Sequence, residues 1–177
     1  MIKVIRRITD ADIDGGTSEY VEAVSRYGSR GILVDDELNV AMMHVGRKDL
    51  YKLPGGGVDP GEDPQAAFLR EIKEETGYEA EIIQAIGYIE EHKARNAFMQ
   101  YSYCYIARAL RQSGATQLTA SEQRLGLVIQ WMTLELAVTA MDHSIENCAD
   151  YSTLFMLVRD RTILQHAHAI SLFESLR

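Results

Sequence analysis

Cysteine is scarce in this 177-residue chain. Its two copies, Cys104 and Cys148, are too few for a disulfide scaffold or a cysteine-rich zinc site. Basic charge is also short. Eighteen Lys and Arg stand against 26 Asp and Glu, a net charge of −8, which speaks against a general binder of nucleic-acid backbones. No apolar run reaches membrane-span length. The opening Met1-Ile2-Lys3-Val4-Ile5-Arg6-Arg7 meets charge too early for a secretory signal. His44, His92 and His143 lack partners at metal-ligand spacing, and His166 and His168, two apart on a helix, point in different directions. Internal repeats and low-complexity linkers are missing too. These absences predict a soluble, cytoplasmic protein with no nucleic-acid or membrane partner. The remaining composition, 46% hydrophobic and 25% charged, is that of one globular domain.

The acid is not spread evenly. From Gly56 to Tyr78 lie Asp59, Glu62, Asp63, Glu71, Glu74 and Glu75, against Arg70 and Lys73. Six minus two is four, so half of the net −8 falls within 23 residues.

Periodicity and turn residues predict a strand over 2–8, then a turn-rich loop from Asp10 to Ser18. The Asp10-x-Asp12-x-Asp14-Gly15 opening imitates a calcium loop. It lacks the closing glutamate, because position 21 is Val21. Strands are expected at 20–25, 29–34 and 39–44. Asp63 as N-cap, Pro64 at the first position and Gly77 as the stop frame a helix. Two β segments, 79–89 and 97–110, flank a polar connection from Glu90 to Asn96. The second carries Phe98, Tyr101, Tyr103 and Tyr105 as a stripe for one packed face. A polar loop over 113–126, a strand over 127–131, a Thr133-capped helix over 134–141 and a helical stretch over 149–175, broken near 160, complete the chain. This divides into an N-terminal β extension (1–27), a main domain (28–141) and a C-terminal helical segment of the same domain (142–177). The apolar residues of the tail, Leu154, Phe155, Leu157, Val158, Ile163 and Leu164, either cover the sheet or form a homodimer face.

On a helical wheel, Phe68, Leu69 and Ile72 share the core side, while Glu71, Glu74 and Glu75 fall within an arc of about 100°. Three carboxylates so close repel one another. Arg70 and Lys73 relieve part of this, and a hard divalent cation relieves it better. A plainly exposed acidic helix is the rival reading. Gly55-Gly56-Gly57 ahead of the helix lets backbone approach a ligand closely, so that a carbonyl there can join a metal shell. Glu62 can add a fourth carboxylate or hold Arg70 in place.

Gly56, Glu62, Arg70-Glu71-Ile72, Glu74-Glu75 and Gly77, in that spacing, resemble the Nudix box, and Leu53-Pro54-Gly55-Gly56 resembles its approach. Tyr78 departs from the aliphatic residue usual after the box. The resemblance implies an α+β fold, a mixed sheet between helices in an α/β/α sandwich, with the box as loop-helix-loop. It implies hydrolysis of a nucleoside diphosphate-linked small molecule with Mg²⁺ or Mn²⁺. Carried over, Glu71, Glu74, Glu75 and the carbonyl of Gly55 look like metal ligands. Glu62 looks like a further or supporting carboxylate, and Arg70 like the residue that orients the glutamates. The general base is Glu71 or, from a later loop, Glu122. Arg47 and Lys52 are phosphate-binding candidates and Tyr51 a base-stacking one. No proline follows Pro64, so the proline that often lies beyond the box in ADP-ribose pyrophosphatases is missing. Nucleoside triphosphates are therefore the leading substrates, ahead of ADP-ribose or nucleotide sugars. A catalytically silent ligand sensor and a metal-free acidic interaction module are the rival functions.

Overall fold

The structure, a computed structural model, describes residues 1–169. Strands are β1 (Val4–Thr9), β2 (Arg26–Val34), β3 (Val40–Val45), β4 (Leu50–Lys52), β5 (Gly55–Gly57), β6 (Tyr78–Lys93), β7 (Phe98–Gln112) and β8 (Leu127–Met132). Helices are α1 (Asp10–Asp14), α2 (Pro64–Thr76), α3 (Ala120–Leu125), α4 (Leu134–Glu146) and α5 (Tyr151–Ala169).

The strands form one mixed sheet in the order β1-β6-β7-β2-β3-β4, with β5 paired to β2 and β8 to β3. β1 runs parallel to β6 and β2 parallel to β7, while β6 and β7 form a long antiparallel pair. Side chains alternate across the sheet. Leu33, Tyr105 and Ala107 pack with Phe68 and Ile72 of α2. Ile32, Val34, Cys104 and Ile106 pack on the opposite side with Met141 of α4 and Phe155 and Leu157 of α5. The result is the expected α/β/α sandwich. The tail's apolar residues Phe155, Leu157, Ile163 and Leu164 are fully buried, so they cover the sheet.

α2 begins and ends where its local chemistry dictates. The Asp63 carboxylate accepts from Gln65 N at 2.9 Å and Ala66 N at 3.0 Å. Gly77, at φ 76°, closes the helix by donating to Lys73 O. Elsewhere long-range contacts override local signals. The loop expected from Asp10 opens instead as α1, because the Asp12 carboxylate accepts from Thr9 N at 2.9 Å and caps a turn. Its aspartates are held by Arg6, Arg95 and Tyr151. Residues 20–25 form no strand, since the His92 ring accepts from Val21 N at 3.0 Å and tethers the segment by a side chain. The polar stretch from Glu90 continues β6 to Lys93 because each residue finds a register partner on β7. A short α3 occupies the end of the expected loop over 113–126. α4 runs through the expected boundary at 141/142 to Glu146. α5 is unbroken near 160, where Arg159 and Asp160 are a buried ion pair rather than a polar interruption. The last residues of the expected 149–175 helix lie outside the described residues. Among the described residues, no helix is long and apolar enough to cross a membrane.

Candidate active site

β5 lies flat beside β2, with Gly55, Gly56 and Gly57 opposite Arg30, Ser29 and Gly28. Gly55 has φ 142°, and a Cβ built there would lie 2.4 Å from Arg30 Cβ. A Cβ on Gly56 would lie 2.3 Å from Glu71 Oε1. At Gly55 the positive φ and the Arg30 backbone admit only glycine, whereas at Gly56 the bare backbone makes room for the Glu71 carboxylate.

Arg70 organises that face. Its Nε and Nη2 donate to the two oxygens of Glu62 at 2.9 and 3.0 Å, and Nη2 also donates to Gly57 O at 3.1 Å. Nη1 donates to Glu71 Oε1 at 2.8 Å and Glu74 Oε2 at 3.4 Å. The two-pronged bond from Arg70, helped by the Asp59 N–H, holds the Glu62 carboxyl down to about 2. The same carboxylates raise Arg70 further above its ordinary range.

Glu75 lies deeper. Its side chain is 1% exposed, accepts from Gly55 N at 2.9 Å and pairs with Lys52 Nζ at 3.0 Å. Burial pushes its carboxyl up, and the Lys52 charge opposes that shift.

These elements border a cavity of about 580 Å³. One wall carries Glu71, Glu74 and Arg70 of α2 with Gly55 and Gly56. Thr119 and Glu122 reach it from α3 and its cap. The rest of the lining is strongly cationic: Arg26 and Arg30 of β2, Lys52 of β4, Lys93 of β6 and Arg159 of α5, with Glu91 and Gln100 among them.

The cavity thus brings together Gly55, Arg70, Glu71, Glu74, Lys52 and Glu122. It does not take in the other expected site residues. Glu62 stands behind Arg70, beside Asp59 and Gly61 in a neighbouring depression. Glu75 is covered and serves as a strut between Gly55 and Lys52. Arg47 is exposed on a turn that donates its backbone to Leu125 O. Tyr51 points to the reverse side of β4 from Lys52, where its hydroxyl donates to Gln130 Oε1 at 3.0 Å and its ring packs on His44. Alternation along β4 explains why adjacent residues part company. Tyr101 and Tyr103 stack with Tyr27 and Tyr88 outside the cavity, and Tyr105 packs on Phe68 in the core.

Sequence reasoning missed Arg26, Arg30, Lys93, Glu91 and Arg159. A signal for the first two exists: Arg26-x-Gly28-x-Arg30 puts both arginines on one face of a strand, with a side-chain-free position between them.

Hard oxygen donors with a backbone loop against them suit a hard cation. Among the described residues, no three acidic or imidazole groups converge ready to hold a metal. Arg70 and Lys52 instead supply the positive charge that a divalent cation would bring. Glu71 and Glu74 each keep one oxygen free of any hydrogen bond among the described residues, so the donor set fits a cation that takes over from those partners.

Residues 26–150 match the family model of the NUDIX domain. The chain belongs to the Nudix family, whose members generally use divalent metal ions. It is 34% identical over 80 residues to a methanol dehydrogenase activator of Bacillus methanolicus, covering 42% of this chain and 43% of that one. It is 33% identical over 84 residues to an ADP-ribose pyrophosphatase of Bacillus subtilis, covering 45% of each. The chain spans less than half the length of these curated relatives. A NUDIX hydrolase from Nitrosomonas europaea shares the fold, with TM-score 0.55 and 17% identity over 69% of this chain and 86% of that one.

Proposed function

We propose that the protein hydrolyses the diphosphate bond of a nucleoside diphosphate-linked small molecule, with nucleoside triphosphates as its preferred class. The observation that carries this reading is the single cavity in which the carboxylates of α2 face a cationic lining. Such a site pairs acidic groups for a cation with basic groups for phosphate.

Glu71, Glu74 and the Gly55 carbonyl would hold Mg²⁺ or Mn²⁺, joined by Glu75 once Lys52 releases it. The cation would neutralise phosphate charge and acidify the attacking water. The remaining work falls to side chains. Arg70, fixed by Glu62, sets the angle of Glu71 and Glu74. Glu71 is held through one oxygen by Arg70, and Glu122 through one oxygen by Thr119 N at 2.8 Å. Each keeps a second oxygen to take a proton from water. Water adds to one phosphorus as the bridging P–O bond breaks. A nucleoside triphosphate then yields a nucleoside monophosphate and pyrophosphate. Lys52 and Arg30 face the phosphates. The reading is of a soluble, cytoplasmic enzyme that needs no nucleic-acid partner.

The relationship to an ADP-ribose pyrophosphatase supports a second reading, with ADP-ribose or a nucleotide sugar as substrate. A metal-dependent screen of nucleoside triphosphates, ADP-ribose, nucleotide sugars and dinucleoside polyphosphates separates them. Turnover that needs Mg²⁺ or Mn²⁺ is expected. Of Glu71→Gln and Glu122→Gln, the variant that removes the base lowers kcat by about 100-fold or more. Metal-independent turnover overturns the role given to the cation, and no turnover with any substrate overturns the enzyme reading and leaves a ligand sensor.

A further inference from the structure

The cationic lining has more positive charge than its own partners neutralise. Arg159, 3% exposed, donates from Nε to Asp160 Oδ1 at 2.8 Å and from Nη1 to Glu91 Oε2 at 3.0 Å. Lys93 Nζ lies 4.0 Å from the other Glu91 oxygen. Asp160 also accepts from Leu53 N at 2.9 Å. Arg30 is buried and has no ion pair among the described residues. Three cations, Arg30, Lys93 and Arg159, thus share two carboxylates, Glu91 and Asp160, which leaves one positive charge unmatched.

The unmatched charge comes with unmatched donors. Arg30 Nε and Arg159 Nη2 are both buried without a hydrogen-bond partner, and both residues border the cavity. Burial and the neighbouring Arg159 pull the Arg30 guanidinium down to about 10. Buried guanidinium donors without partners are costly, and an oxyanion is the ligand that relieves both deficits together. Gly28 lies between Arg26 and Arg30 on the same face of β2, where a Cβ would meet Gln100 Nε2 at 3.1 Å, so glycine there makes room for the Gln100 amide beside the arginines.

We propose that Arg30, Lys93 and Arg159 form a metal-independent site for a phosphoryl group of the substrate beyond the two phosphates joined by the scissile bond. The inference rests on the hydrolase reading and narrows it. Favoured substrates carry a third anionic group, as nucleoside triphosphates do. A nucleotide sugar with an uncharged sugar leaves the arginines unmatched. Glu91 Oε1 also faces this region without a hydrogen bond, and the Lys93 ammonium beside it offsets its repulsion of the anion.

Calorimetry with inorganic pyrophosphate and phosphate, in EDTA, tests the site. The full chain binds pyrophosphate without metal. Arg30→Met weakens that binding at least ten-fold, and Lys93→Gln also weakens it, while Arg47→Gln, at an exposed position outside the cavity, binds as the parent does. Thermal melting checks that each variant folds, and Lys93→Gln decides the case if Arg30→Met does not. In kinetics, Arg30→Met lowers the ratio of kcat/KM for a nucleoside triphosphate over that for a nucleotide sugar. No metal-free binding by the parent chain, or binding that neither variant weakens, overturns the site and marks Arg30 as a solvated structural arginine. Hydrolysis that Glu74→Gln abolishes, without metal-free pyrophosphate binding, keeps the enzyme reading and removes only this site. Pyrophosphate binding with no turnover of any substrate does the reverse.

Discussion

Glu62 and Arg70 show how a single contact carries a measurable pH dependence. The Glu62 carboxyl falls from an ordinary 4.5 to about 2 on folding. A carboxyl held low in the native state stabilises it above pH 4.5, and that contribution is lost as pH falls from 4.5 towards 2. Glu62→Gln should therefore melt below the parent near pH 7, with the gap closing over that acid window. Added salt should shrink the gap too, because the pair is partly open to solvent. A gap independent of pH would show that packing, not the ion pair, is what the substitution removes. At this scale the box itself was legible: Arg70, Glu71 and Glu74 border the cavity, as their spacing on a helix implies. Glu75 was less so. The wheel places it with its neighbours, whereas its partners Lys52 and the Gly55 N–H come from elements more than a dozen residues upstream.

At the scale of elements, β5 and α2 act as one unit. Gly56 leaves room for the Glu71 carboxylate, which a Cβ would approach within 2.3 Å. Gly56→Ala leaves the backbone unstrained, and the far end of Glu71 can swing away, so the melting temperature should stay within about 2–4 °C, the shift that ~1 kcal/mol produces in a domain of this size. Activity and cation affinity should nevertheless fall by about ten-fold or more, since a small displacement at the reacting groups is enough. Equal losses of stability and activity would contradict this. α2 was legible because its signals are local: a carboxylate cap, a proline and a glycine stop. Residues 20–25 and the stretch after Glu90 were not, because a histidine ring in one case and a register with β7 in the other decide the backbone. Arg47 and Tyr51 were misplaced for a related reason, since a cation in a turn and a residue on the reverse side of a strand look equally available in sequence.

Across the whole molecule, the sandwich is held at its centre by charge as well as by apolar packing. Asp160 of α5 binds both Arg159 and the Leu53 N–H ahead of the glycine loop. Asp160→Ala should cost about 3–5 kcal/mol by urea denaturation, the usual penalty for stranding a buried charge. A loss under 1 kcal/mol would show that Glu91 alone satisfies Arg159. Nothing in the amphipathic pattern of the tail revealed this. The pair Arg159-Asp160 reads in sequence as a helix break, and only the sheet beneath it turns those charges inward. The Asp160–Leu53 bond also has a meaning in time. It joins residues 107 apart in the chain. Contacts of such long range close late, after the local hairpins and helices have formed. A chain emerging from the ribosome thus carries the entire acidic helix and its glycines long before it has a pocket. The cationic side of the lining is completed only when α5 supplies Arg159, so the phosphoryl site proposed above would take shape only after this long-range contact has closed.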